Sequence, residues 1–173
     1  MRRARPEPLA AGEAGTASPA DQEQAARTAA FALLAGRDFS RAELAGRLAR
    51  KGHAAAAVTA VLDSLVAEGV LREERYAGQF VNQRAGRGKG PLRIRMELGD
   101  KGVARETVDS ALGEAGADWV RAAREARRRK FGAALPEGAR ERARQARFLQ
   151  YRGFTADQIR AALGPAEDDD DPR

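Results

Sequence analysis

Three glycines, Gly52, Gly102 and Gly153, each follow a basic residue (Lys51, Lys101, Arg152) and stand 50 and 51 positions apart. Leu48, Leu98 and Leu149 occupy the fourth position before them. Val58, Val108 and Ile159 occupy the sixth position after, and Leu62, Leu112 and Leu163 the tenth. Self-similarity at a period of this size marks tandem supersecondary units that bury their apolar faces together. A chain built this way is restricted to an array of one small unit repeated three times.

The unit reads as helical. Val58, Val61, Leu62, Leu65 and Val66 follow the i, i+3, i+4, i+7, i+8 stripe of an amphipathic helix. Val108/Ala111/Leu112 and Ile159/Ala162/Leu163 repeat it in shorter form. Ser40-Arg41-Ala42-Glu43 has the spacing of a capping box, flanked by Phe39 and Leu44 as a hydrophobic staple, and Thr155 to Gln158 between Phe154 and Ile159 repeats the device. Gly90-Pro91 supplies a glycine N-cap with proline at the first helical position. The repeated glycine suits the left-handed residue that closes a helix before a tight turn. No alternating β-branched run predicts a strand.

The expected fold is therefore all-α: three tandem three-helix, helix-turn-helix-like repeats in an elongated, modular array. Each first helix carries aromatic anchors (Phe31 with Leu34, Tyr76 with Phe80, Trp119 with Phe131), and a short second helix ends at the glycine. The repeats are placed at 24–71, 72–116 and 117–164, between a disordered arm (1–23) and an acidic tail (165–173). Alanine is used heavily, so the cores are expected to be shallow. The absence of cysteine excludes disulfides and thiolate metal sites. No apolar run is long enough to span a membrane, and Arg2-Arg3 lacks the apolar stretch of a signal peptide, which points to the cytoplasm.

Charge carries the functional argument. The chain has a net charge of +6, distributed unevenly. Arg84, Arg87, Lys89, Arg93 and Arg95 fall in one interval without an acid, and from Arg121 to Arg147 ten basic residues face three acidic ones. Arg121, Arg124 and Arg128 share one helical face; Arg140, Arg144 and Arg147 form a second stripe. Guanidinium rows match phosphate oxygens, and binding them releases counterions from nucleic acid. These eleven residues are the expected surface for contact with DNA phosphates or with an acidic partner. The tail acids from Glu167 to Asp171 oppose that charge and are a candidate shield for it.

Several other chemistries are disfavoured by the residues. A sequence-reading helix-turn-helix protein presents polar side chains at the start of the helix after its turn. Here the first repeat presents Ala54 to Val58, and the others only isolated Arg105 and Arg160. Gly88-x-Gly90 lacks the preceding strand, the Lys-Ser/Thr and the later acid of a nucleotide loop. Glu43, Glu68, Glu97 and Glu106 do not cluster as nuclease metal ligands would. His53, the single histidine, sits in the staple column of Val103 and Phe154. No catalytic residue, metal or cofactor is expected.

Gly88-Lys89-Gly90-Pro91, Ile94, Glu97, Leu98 and Lys101-Gly102 resemble the central signature of the bacterial RecX family of recombination regulators. Supporting likeness runs through Ser40 to Gly52, Leu65 to Ala77, Arg129-Lys130-Phe131-Gly132 and Arg144 to Phe154, so that it covers residues 25–164. Glu73-Glu74 stands where the family often carries Asp-Asp, and the third helix of the first repeat is unusually rich in alanine. The resemblance implies a regulator of recombination, DNA repair and the SOS response, and the chain is expected to be monomeric and non-enzymatic. Its implied partner is the RecA filament on single-stranded DNA, with duplex DNA as a further candidate. It implies inhibition of RecA recombinase, ATPase and co-protease activity. A sequence-nonspecific DNA-binding protein that acts without a recombinase is the alternative.

Overall fold

In the computed structural model, which describes residues 17–165, nine helices and no strand are found among the described residues. They are α1 (Pro19–Leu34), α2 (Arg41–Arg50), α3 (Ala55–Ala67), α4 (Glu73–Gly86), α5 (Pro91–Gly99), α6 (Arg105–Glu114), α7 (Trp119–Phe131), α8 (Gly138–Tyr151) and α9 (Ala156–Leu163). Every helix pair in substantial contact lies within one triplet, α1–α3, α4–α6 or α7–α9. Three separate apolar cores result. The columns Leu48/Leu98/Leu149 and Val58/Val108/Ile159 lie buried in them, as the repeat requires. Gly52, Gly102 and Gly153 all adopt positive φ (+88°, +73° and +87°), which closes each second helix at little steric cost.

Three local expectations need correction. The segment 1–23 is expected to lack structure, yet α1 begins at Pro19. Ser18 and Asp21 form a reciprocal capping box with proline at the first position, in a stretch with no apolar stripe to announce it. Residues 1–16 and the acids from Glu167 to Asp171 lie outside the described residues. Phe31 does not anchor its core; it is 42% exposed beneath the Arg27 guanidinium, and the small Ala26 and Ala30 face inward instead. The capping box at Ser40 is only half made. Ser40 Oγ accepts from Glu43 N at 3.1 Å, but the Glu43 carboxylate turns away from its own helix. It accepts from Lys101 Nζ at 2.6 Å and Tyr76 Oη at 2.9 Å, both in the second triplet. The Thr155/Gln158 box and the Gly90-Pro91 start form as expected.

The displaced Glu43 reveals how the units join. Ser40, twelve residues before Gly52, donates to the carbonyl of Lys101 at 2.7 Å. Gly90, twelve residues before Gly102, donates through its N–H to the carbonyl of Arg152 at 2.8 Å. The start of one unit's second helix thus seats on the glycine turn of the next unit, twice over. The first joint is predominantly polar. Asp38 pairs with Arg75 at 2.7 Å and Arg41 N donates to Glu73 at 3.1 Å, while Arg37, on the first unit's own side, approaches Glu43 at 3.5 Å. The second joint is backbone against backbone. A Cβ on Gly90 would overlap the Gly153 carbonyl and stand 2.5 Å from Phe154 N. Leu92 N adds a bond to Gly153 O at 3.0 Å. Trp119 packs against both the second and the third core, so it belongs to this joint as well as to α7.

The polar joint is acid-sensitive. Burial by itself would raise the Glu43 carboxyl, but the bonds from Lys101 and Tyr76, with the nearby charges of Lys101 and Arg37, outweigh it and hold it below the ordinary 4.5. A depressed carboxylate contributes stability above its unfolded pKa and loses it as pH falls through the folded value. The first joint should therefore be intact at neutral pH and weaken below about pH 4.5. Thermal unfolding of Glu43→Gln should show a smaller loss of stability over that acidic range than the parent chain. An identical pH profile would mean that Glu43 carries no such linkage.

The cores differ in depth. Ile94 and Leu98 are fully buried in the second, whereas the third relies on Ala123, Ala126 and Ala162 beside Leu149 and Phe154. It also encloses a charge. Arg127, 4% exposed, donates to the carbonyls of Ala134 (2.6 Å) and Ala133 (3.1 Å) and so pins the α7–α8 loop. Ile94→Ala truncates a fully buried side chain of the second core and should lower stability by about 2–5 kcal/mol, read by denaturant titration.

Candidate nucleic-acid interface

The second joint is also where basic side chains gather. Helix α4 ends at Gly86, and the loop Arg87-Gly88-Lys89-Gly90 follows, with Gly88 at φ +73°. The loop has little freedom. Gly88 N and Lys89 N return to the carbonyls of Ala85 and Arg84, Gly90 N bonds Arg152 O, and the Arg152 guanidinium donates to Arg87 O at 3.1 Å. Gly88 faces α7: a Cβ there would stand 3.4 Å from both Ala126 Cβ and Arg129 Nη2, and 3.7 Å from Arg152 Nη1. The guanidinium groups of Arg129, from α7, and Arg152, from the α8–α9 turn, therefore meet at the loop that carries Arg87 and Lys89, and the four residues form one locked corner. None of the four takes part in an ion pair among the described residues. Such a corner can present guanidinium and ammonium groups to phosphate without first breaking internal bonds, except at Arg152, which also braces the loop.

The eleven residues expected from sequence divide into two groups. Arg87, Lys89, Arg128, Arg140 and Arg147 take part in no ion pair among the described residues. The other six are engaged. Arg84 and Arg93 both reach Glu97, at 2.8 and 3.0 Å, and Arg84 also lies over the Phe80 ring. Arg95 is held by Asp109 at 2.6 Å, Arg121 by Glu125 at 3.2 Å and Arg144 by Glu141 at 3.2 Å. Arg124 donates to the carbonyl of Ala161 near the end of α9. The interval from Arg84 to Arg95 is free of acids along the chain but not in space, because the helical turn and the α5–α6 packing bring Glu97 and Asp109 to it. Exposed pairs of this kind contribute about 0–1 kcal/mol. Arg95, Arg121 and Arg144 can exchange a carboxylate for a phosphate at small cost, while Arg84 is mainly a bracket between α4 and α5.

The basic stripes continue from the corner along the third unit. Arg128, Arg129 and Lys130 are exposed in the last turn of α7, where positive charge also complements the helix dipole. Arg144 of α8 lies over Phe131, which stacks edge-on against Phe148, so the ends of α7 and α8 share this surface. Arg129 and Arg152 are not among the eleven residues expected from sequence. Arg152 is 65 positions from the loop it braces, and its visible role in the sequence is only to precede a turn glycine. Tyr151 beside it is 80% exposed, the most exposed large apolar side chain among the described residues. No group of His, Asp and Glu capable of holding a metal occurs among the described residues, and no helix there is long and apolar enough to cross a membrane.

Comparison with known proteins agrees with this architecture. Three family models match in order: the first three-helix domain of RecX at residues 26–65, the second at 73–112 and the third at 117–163. A regulatory protein RecX from Halorhodospira halophila (strain DSM 244 / SL1) is 50% identical over 159 residues, covering 92% of this chain and 96% of the relative. One from Pseudomonas savastanoi pv. phaseolicola (strain 1448A / Race 6) is 46% identical over 150 residues, covering 87% and 97%. Among solved structures, RecX from Lactobacillus salivarius superposes with a TM-score of 0.70 at 20% identity, over 81% of this chain and 93% of that one. A further crystal structure of a regulatory protein RecX gives the same TM-score at 22% identity, over 81% and 70%; at these identities the likeness concerns the fold. The chain belongs to the RecX family of regulatory proteins.

Proposed function

We propose that this protein regulates recombination by binding the RecA–single-stranded DNA filament in the cytoplasm and inhibiting the recombinase, ATPase and co-protease activities of RecA, without catalysis of its own. The observation that carries the reading is the rigid basic corner of Arg87, Lys89, Arg129 and Arg152, formed only where two units interlock. A fixed corner presents its charges in one geometry, as a regular polymer requires, and the stripes on α7 and α8 extend the contact. Arg93, Arg95, Arg121, Arg124, Arg128, Arg140, Arg144 and Arg147 supply its periphery. Arg84 is assigned to bracing α4 against α5.

Three units joined end to end can touch several subunits of a filament, and weak contacts then reinforce one another through effective concentration. The testing experiment is the DNA-dependent ATPase rate of cognate RecA, preassembled on single-stranded DNA in excess, during titration with this protein. Inhibition well below one molecule per RecA subunit is the expected result. Inhibition that appears only once the DNA itself is saturated, as with a salt-matched basic control protein, would leave a sequence-nonspecific DNA-binding protein in its place.

A further inference from the structure

Between α7 and α9 runs a groove of about 470 Å³, distinct from the corner. Arg121, Arg124 and Arg128 line one side, and Ala161, Gly164 and Leu135 form much of the rest. Glu125 is the single carboxylate in its wall, and it already pairs with Arg121. The described chain leaves from this wall. Gly164, at φ +75°, lies against Leu135, where a Cβ would approach Leu135 Cδ1 to 3.2 Å. Arg142 then holds the exit, donating to the carbonyls of Leu163 (3.3 Å), Gly164 (2.6 Å) and Pro165 (3.0 Å).

We propose that the acidic segment from Glu167 to Asp171 occupies this groove and shields its arginines from competing polyanions. Reach, span and charge all agree. Glu167 is two residues beyond Pro165, so an extended chain places it within about 7 Å of the exit. Arg121 and Arg128 are about 10 Å apart along α7 at the helical rise of 1.5 Å per residue. Asp168 to Asp171 covers about the same length when extended. Five carboxylates would face three guanidinium groups across a partly apolar floor, where charges are less screened than on an open surface. The shielding half of the proposal rests on the nucleic-acid reading above; the docking half does not.

The chain has no cysteine, so Pro172→Cys can carry a single nitroxide label. At low salt the label should broaden amide resonances of Arg121, Arg124, Arg128 and Ala161. The broadening should fade at high salt, and also when Glu167→Gln is combined with Asn at Asp168, Asp169, Asp170 and Asp171. Equal broadening with the acidic and the neutral tail overturns docking. Broadening that grows with protein concentration places the tail on a second copy and likewise overturns it. For shielding, truncation after Pro165 should tighten binding of a short oligothymidylate about five- to tenfold at low salt, the gap closing as salt rises. Equal affinities would overturn shielding. If neither form binds the oligonucleotide, the nucleic-acid reading fails, and the broadening alone decides whether the tail docks.

Discussion

Gly90→Ala uncouples the second and third units while leaving their cores folded. At φ −86° the position suits alanine as well as glycine, so no backbone strain is introduced. The whole effect comes from the added Cβ, which would lie against the backbone of Gly153 and Phe154 rather than against a side chain able to move aside. Relief requires the joint to open, with loss of the bonds from Gly90 N to Arg152 O and from Leu92 N to Gly153 O. Overpacking typically costs about 1–3 kcal/mol and the two broken bonds about 1 kcal/mol each, so the coupling between units should fall by about 3–5 kcal/mol. Helical content should be retained. Hydrogen exchange should rise at the α8–α9 turn and at the start of α5, and inhibition of RecA should weaken because the basic corner no longer has one geometry. Gly78→Ala, in the middle of α4 with nothing within 4 Å of an added Cβ, is the control and should stabilise by about 0.5–1 kcal/mol. If both variants keep parental exchange and inhibition, the joint does not depend on close approach at Gly90.

Removing Arg87, Lys89 and Arg129 together should be the most damaging change to nucleic-acid binding that leaves the fold intact. Their side chains make no hydrogen bond or ion pair among the described residues, and the loop is held by its backbone and by Arg152. On single-stranded DNA every side chain that ceases to neutralise a phosphate lowers the slope of log affinity against log salt by about 0.7. The triple alanine variant should therefore show a slope shallower by about two. Affinity for single-stranded DNA should drop more than tenfold at low salt. Arg93→Ala with Arg95→Ala should have a smaller effect, because Glu97 and Asp109 already neutralise those guanidinium groups. Fluorescence anisotropy across a salt series separates the two sets. A larger drop in affinity from the Arg93/Arg95 variant would relocate the contact to the exposed face of α5.

Local chemistry was largely legible without coordinates. Periodicity placed the stripes at Val58–Leu62, Val108–Leu112 and Ile159–Leu163, and positive φ at Gly52, Gly102 and Gly153 followed from their position after a helix. These properties depend on residues within one or two turns of each other, so the order of residues determines them. The start of α1 was equally local, but Ser18-Pro19-Ala20-Asp21 lacked an apolar stripe and so gave a weaker signal.

What only the tertiary structure decided was the use made of residues already recognised. Glu43 looked like half of its own helix cap and serves Lys101 and Tyr76 in the neighbouring unit. Gly90 looked like an N-cap, and it is also the point at which two backbones meet. The basic interval from Arg84 to Arg95 looked uniformly available until Glu97 and Asp109 were placed beside it, while Arg129 and Arg152 joined the corner from far along the chain. The order of residues thus determined the three helical units and the sign of their charge, because helix formation and net charge are local or additive. The joints between units, and which cations are left unpaired there, depend on separations across space that no local rule encodes.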